Sequence, residues 1–302
     1  MAKPAAEMGR AQNSLVLGHR LDDFLRVERL PHIWCPGCGI GIALGALLRA
    51  IAHLESAGIV DRRQIVFVSG IGCTGRAAGY VRLDGAHTPH GRAIPYAVGV
   101  KLANPFLIPV VFSGDGDIVG IGGNHLLHAA RRNFDVLVVM VNNLNYALTG
   151  GQVAPTTPSK LYTTTTPKGN PERPIDTAKL IASLGANYVA RWSINYPAQL
   201  EESIKKALPR RGFRFIEVLS ICPEIFGRHL GFRSPAELYD RLRKVARIRK
   251  PKNLDDIVYD WDTEITLGVF VDKDEPGFMD SLCETHNYEW CSKIPERRWT
   301  RR

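Results

Sequence analysis

Short runs of consecutive β-branched and other apolar residues alternate along the chain with segments whose apolar positions recur at helical spacing. GIALGALLRAIAHL (41–54) carries the helical pattern. QIVFVSGIG (64–72) and FLIPVVFSGDGD (106–117) read as buried strands, each ending in a glycine-rich turn. HLLHAARRN (125–133) reads as helix and VLVVMVNN (136–143) as strand. TAKLIASLG (177–185) then reads as helix, YVARW (188–192) as strand, QLEESIKKAL (199–208) as helix and FRFIEVLS (213–220) as strand. Strands apolar on both faces and separated by helices predict an α/β fold, a mostly parallel sheet with helices on both faces. Such sheets bind ligands beyond the C-terminal ends of their strands. Gly72–Cys73, Gly114–Asp117 and Asn142–Asn145 fall at those ends.

The pattern divides the chain into an N-terminal arm (1–30), a principal domain (31–230) and a C-terminal extension (231–302). Within the extension, RLRKVARIRKPK (241–252) holds seven basic residues in twelve and no acid. It reads as a solvated helix face followed by a linker, or as a docking arm for another subunit or an acidic carrier. No apolar run is long enough to span a bilayer. The opening MAKPAAEMGRAQNS lacks a secretory core, so a cytoplasmic protein is expected. In that compartment the six cysteines are not expected to form a disulfide framework. The net charge of +9 suits an acidic partner, either nucleic acid or a small acidic electron carrier.

The chemistry concentrates at two places. Gly114-Asp115-Gly116-Asp117 ends one strand, and Asn142-Asn143 ends the next, 25 residues after Asp117. A bound diphosphate needs a cation to bridge its oxygens, and Mg²⁺ takes about six oxygens in a near-octahedral shell. A carboxylate and an amide oxygen from adjacent strand ends supply two, and a backbone carbonyl just beyond supplies a third. Gly114 and Gly116 let the backbone approach the phosphates, and the helix after Asp117 would point free N–H groups at them. At the second place, HIWCPGCG (32–39) sets Cys35 and Cys38 in a C-x-x-C before a helix. Zinc, a redox dithiol and a [4Fe–4S] cluster are all open to such a pair. A cubane needs four thiolates, and Cys73 in GIGCTG and Cys222 in LSICPE stand at strand ends where they could join it. Cys283 and Cys291 read as structural or incidental.

The GDG…NN spacing resembles the thiamine-diphosphate motif. NNLNYALTGGQVAPTTP (142–158) and HTPHGRA (87–93) resemble segments of the 2-oxoacid:ferredoxin oxidoreductases, as does the set of Cys35, Cys38, Cys73 and Cys222. The resemblance covers roughly residues 30–228 and marks the chain as similar to the β subunit of that family, of the 2-oxoglutarate type. It implies the thiamine-diphosphate-binding fold. It implies Mg²⁺ on Asp115, the Asn143 side chain and the Asn145 carbonyl, with Gly72, Cys73, Gly114, Gly116, Asp117 and Asn142 about the cofactor. It implies one [4Fe–4S] cluster on Cys35, Cys38, Cys73 and Cys222. His87, His90 and Arg92 would lie near the diphosphate or substrate. The implied reaction is oxidative decarboxylation of a 2-oxo acid with coenzyme A, giving acyl-CoA and CO₂ and reducing ferredoxin, or the reverse carboxylation. The implied partner is an α subunit that supplies the activating glutamate, in an (αβ)₂ assembly, with no membrane and no nucleic acid.

Some relatives carry lysine where this chain has Gly150 in LTGGQ. Arg76, three residues after Cys73, is then the candidate grip for the distal carboxylate of 2-oxoglutarate, because arginine takes carboxylates in bidentate pairs. Pyruvate is the alternative substrate. A non-redox thiamine enzyme would share Asp115 and Asn143 but would not need four matched cysteines. A zinc-stabilised nucleic-acid-binding subunit would use the basic extension instead.

Overall fold

The computed structural model describes residues 18–286 and 288–293, so the first 17 residues of the expected N-terminal arm lie outside the described residues. The five apolar runs become strands β1 (Ile65–Ser69), β3 (Ile108–Gly114), β4 (Leu137–Asn142), β5 (Tyr188–Ser193) and β6 (Arg214–Leu219). Three further strands were not legible as such: β2 (Asp84–His87), β7 (Ala246–Ile248) and β8 (Ile265–Asp272). All eight form one sheet in the order β2-β1-β3-β4-β6-β5-β8-β7. Every pairing is parallel except that of β5 with β8. β2 escapes a hydrophobic reading because it is a mostly exposed edge strand of sequence DGAH.

Alternation within the strands divides the core in two. Phe67, Val110, Phe112, Val139 and Val141 face one layer, which is packed by α1 (Ile40–Ser56), α5 (Pro197–Ala207) and α6 (Pro235–Val245). Val68, Val111, Val138 and Met140 face the other, packed by α2 (Ala93–Ala103), α3 (Gly123–Arg131) and α4 (Thr177–Ser183). Successive residues of a strand point to opposite faces, so strands covered on both sides must be apolar throughout. β4 is fully buried over all six residues, as its LVVMVN sequence requires.

The extension joins this sheet. β8 pairs antiparallel with β5, and β7 pairs with β8. The basic run 241–252 begins as the last turn of α6, as expected, but where a linker was expected the chain continues directly from Val245 as β7. Ser234 caps α6 by accepting from the Glu237 N–H, and proline at its first position pre-sets the turn. The last helix, α7 (Phe278–Thr285), leads to a disulfide between Cys283 and Cys291. Sequence reading left these two cysteines unpaired. The turn after α7 brings their Cα atoms to 5.7 Å, a bridging distance. No helix among the described residues is long and apolar enough to cross a membrane.

Candidate diphosphate and thiolate site

The C-terminal ends of β1, β3 and β4 open into one cleft. Of the residues expected there, Gly72, Cys73, Gly114, Asp115, Gly116 and Asp117 line it. Asn143, Asn145 and His90 line it too. Asn142 does not; it is fully buried behind the cleft. Arg76 and His87 do not either. The helical turn Thr74–Gly79 carries Arg76 past the strand end, into a separate cleft of about 460 Å³ shared with Arg26 and Arg29. His87, at the end of edge strand β2, opens into that same cleft while its Nδ1 lies 3.1 Å from Ser69 Oγ. Arg92 is exposed at the start of α2.

The loop after β3 departs from expectation. A π-helical turn begins at Gly116, so the first free N–H groups precede Asp117 instead of following it. Asp117 lies inside that turn, and its carboxylate is fully engaged. It accepts from Ile71 N at 3.1 Å, Gly91 N at 2.7 Å and Ser113 Oγ at 2.8 Å, and His90 Nδ1 lies at 2.6 Å. Asp117 thus ties the Gly70–Cys73 turn and the HTPHGR loop to β3. Gly70 is required for this: a Cβ there would lie 1.9 Å from Asp117 Oδ2. At Gly116 a Cβ would lie 2.3 Å from the Tyr146 ring, whose hydroxyl donates to the Gly116 carbonyl at 3.1 Å.

Asp115 is 1 % exposed and faces oxygen atoms. The Asn143 side-chain nitrogen donates to Asp115 Oδ1 at 3.2 Å and to the Asn145 carbonyl at 2.8 Å, which draws the two strand ends together. The donor set, all hard oxygen, fits Mg²⁺. Burial pushes the Asp115 carboxyl up to about 6, opposed by hydrogen bonds from Thr156 and from backbone N–H groups. The Thr156 hydroxyl donates to Asp115 Oδ2. Thr156 was missed in the sequence, although it stands in the TTP that ends the NNLNY segment.

The four predicted cysteines are free and gathered beside this cleft. Cys38 N donates to the Cys35 carbonyl at 3.0 Å, closing the C-x-x-C turn ahead of α1. Trp34 Nε1 donates to the Cys73 carbonyl at 2.7 Å, fixing one turn against the other. Burial first, then the neighbouring thiols, push Cys38 up to about 12 and Cys73 up to about 11. Cys222 is also raised by burial, while the Asn145 side chain favours its thiolate. No three His, Cys, Asp or Glu side chains among the described residues gather closely enough to hold a single metal ion.

Residues 70–218 match the family described as "Thiamine pyrophosphate enzyme, C-terminal TPP binding domain". A relative from Methanothermobacter thermautotrophicus named 2-oxoglutarate synthase subunit KorB is 48% identical over 86% of this chain and 89% of its own length. The 2-oxoacid:ferredoxin oxidoreductase subunit beta of Saccharolobus solfataricus is 38% identical over 87% of this chain and 86% of its own. This chain is a 2-oxoacid:ferredoxin oxidoreductase β subunit.

A solved 2-oxoglutarate:ferredoxin oxidoreductase from Magnetococcus marinus, with 2-oxoglutarate, coenzyme A and succinyl-CoA bound, superposes on this β subunit with a TM-score of 0.79. That match has 29% identity and covers 93% of this chain and 97% of that one. The β subunit therefore has the thiamine-diphosphate-binding fold anticipated from its GDG…NN spacing, and its matched family region runs from the turn after β1 to the end of β6.

Proposed function

We propose that this β subunit binds thiamine diphosphate through Mg²⁺ held by Asp115, the Asn143 amide oxygen and the Asn145 carbonyl. It would carry one [4Fe–4S] cluster on Cys35, Cys38, Cys73 and Cys222, and act on 2-oxoglutarate with coenzyme A and ferredoxin. The placing of Asp115, Asn143 and Asn145 around one cleft at the strand ends is the observation that carries the reading. The four free cysteines support the cluster, because each lies close enough to another of the set to shift its titration, and a cubane takes four thiolates. 2-Oxoglutarate is supported by the names of the relatives, with pyruvate the competing substrate.

Thiamine diphosphate, when bound, supplies the electron sink for decarboxylating a 2-oxo acid. This chain's own groups do the rest. Asp115 and the two asparagines fix the diphosphate end. The Gly70–Cys73 turn, clamped by Asp117 and Trp34, forms the wall between that end and the thiolates. His90, oriented by Asp117 and edge-on to Tyr146, is the titratable side chain presented to the cleft from the HTPHGR loop. The chain is one subunit by the naming of its relatives. We assign the activating glutamate to an α partner; Arg76 opens into the separate cleft with Arg26 and Arg29 and would have to turn toward the diphosphate cleft to grip a substrate carboxylate.

Anaerobic co-expression with the partner subunit, followed by iron, sulfide and thiamine analysis and viologen reduction on several 2-oxo acids with coenzyme A, tests this. About four irons per chain are expected, with 2-oxoglutarate the best substrate. Zinc without iron or thiamine would refute the site, and a pyruvate preference would refute the substrate. An unchanged 2-oxoglutarate/pyruvate ratio of kcat/KM in Arg76→Ala would remove Arg76 from that role.

A further inference from the structure

The oxygens around Asp115 are held by a chain of hydrogen bonds that ends far away in sequence. Thr156 donates to Asp115 Oδ2 through its hydroxyl. The backbone carbonyl of the same Thr156 accepts from the Tyr259 hydroxyl at 3.1 Å. That hydroxyl in turn accepts from Asn142 Nδ2 at 3.0 Å. Asn142 Nδ2 also donates to Glu217 Oε1 at 2.7 Å, and Asn142 Oδ1 accepts from Leu144 N at 3.1 Å. The second bond holds Leu144 at a φ of +68°, a left-handed conformation unusual for leucine, in the middle of the loop that presents Asn143 and Asn145.

A single phenol oxygen therefore bonds both loops of the cation site at once. One loop, Asn142–Asn145, carries two of the three oxygens. The other, at Thr156, steers the third. The phenol's one proton and one lone pair are both used, and it has no other partner among the hydrogen bonds described. Its ring is fixed as well: the fully buried Arg191 guanidinium lies 4.9 Å above it, and Arg191 Nε bonds Glu217 Oε2 at 2.7 Å. Tyr259 stands in the segment between β7 and β8, outside the matched family region that supplies every expected ligand of the cation.

We propose that Tyr259 is a positioning residue for the diphosphate cation: its hydroxyl sets the distance between the Asn142–Asn145 loop and Thr156, and so the spacing of the Asp115, Asn143 and Asn145 oxygens. This rests on the reading of those oxygens as a cation site. Tyr259→Phe keeps the ring and its packing on Arg191 while leaving a buried carbonyl and an amide N–H each one partner short.

The test titrates Mn²⁺, as a paramagnetic stand-in for Mg²⁺, into the metal-free αβ complex with thiamine diphosphate, and counts bound Mn²⁺ by electron paramagnetic resonance. Tyr259→Phe is expected to raise the half-saturating Mn²⁺ concentration about tenfold, the scale of one or two lost buried hydrogen bonds. Excess metal should restore kcat. Thr156→Val is expected to weaken binding too, and adding Tyr259→Phe to it should cost much less than Tyr259→Phe alone, because the second residue acts through the first. A lower melting temperature with an unmoved Mn²⁺ midpoint, or full additivity with Thr156→Val, overturns the inference. Asp115→Ala separates this from the underlying site: if it leaves Mn²⁺ binding intact the cation site itself is wrong, and if it abolishes binding while Tyr259→Phe changes nothing only the positioning role is wrong.

Discussion

Gly70→Ala asks whether the Asp117 clamp is as tight as its geometry indicates. An added Cβ would sit 1.9 Å from Asp117 Oδ2 and 2.4 Å from its Cγ. A carboxylate on a free side chain would swing aside at little cost. This one is 2 % exposed and holds Ile71 N, Gly91 N and Ser113 Oγ, with His90 beside it. Restoring ordinary contact needs a shift of more than 1 Å by simple van der Waals spacing, roughly a carbon–oxygen gap of 3.2 Å. That shift takes at least two of the four contacts outside hydrogen-bond range. Hydrogen bonds to a charged group contribute about 1.5–3 kcal/mol each, so the substitution should cost about 3–6 kcal/mol. Urea unfolding of the metal-free chain measures it, and thermal scanning should show a fall of roughly 10 °C. Thiamine diphosphate binding should weaken as well, since the freed Gly70–Cys73 turn lines its cleft. The cause is checked by repeating Gly70→Ala in an Asp117→Ala background, where the obstructing atoms are gone and the extra cost should nearly vanish. A cost under about 0.5 kcal/mol in the wild-type background, the range of an unremarkable surface change, would refute the clamp.

Three other outcomes follow from the same geometry. Asp115 has its folded pKa raised from 3.8 to about 6, so the folded chain holds that proton more tightly; this group's contribution to stability is complete below pH 3.8 and lost as pH rises through 6. At about 1.4 kcal/mol per pH unit the loss is about 3 kcal/mol at neutral pH, so Asp115→Asn should melt higher than wild type at pH 7 in chelator, with the advantage shrinking toward pH 4, while losing Mg²⁺-dependent thiamine diphosphate binding. Arg191→Met strands the buried Glu217 and the Asp176 carboxylate and should cost about 3–5 kcal/mol in urea unfolding, most of it recovered by Arg191→Met with Glu217→Leu. Cys222→Ser should lower iron and sulfide per chain in anaerobically purified complex, whereas Cys283→Ser, in the disulfide-bonded pair, should leave both unchanged.

The central strands and the positions of the strand-end candidates were legible because parallel strands covered on both faces must be apolar throughout, and their C-terminal turns must then carry the polar side chains. Asp115, Asn143 and Asn145 meet in the structure as their spacing predicted, and Cys35, Cys38, Cys73 and Cys222 gather beside them. What escaped was set by contacts between segments without a local pattern. Asp117 was expected about the cofactor, yet its carboxylate is taken up by Ile71 N, Gly91 N, Ser113 Oγ and His90 Nδ1. Arg76 stands three residues from Cys73 in sequence, but a helical turn carries it into another cleft. Thr156 and Tyr259 have no motif at all. Their roles come from a hydroxyl and a carbonyl of one residue pointing at partners 41 and 103 positions away. β8 was not read as a strand, and its antiparallel return beside β5 depends on where the chain turns after β7.

The metal-free site is arranged against its own charges. The Asp115 carboxyl is pushed up to about 6, and the Cys73 and Cys38 thiols to about 11 and 12, in each case chiefly by burial. The thiols hold protons at neutral pH, and Asp115 does so below about pH 6, so metal loading would be coupled to proton release and favoured by higher pH. The net binding energy left after that displacement adds to folded-state stability, because the unfolded chain offers no assembled set of ligands. The Asn143 amide adds no charge beside Asp115: its nitrogen donates to Asp115 Oδ1 and to the Asn145 carbonyl, where a second carboxylate would set a like charge in a buried place.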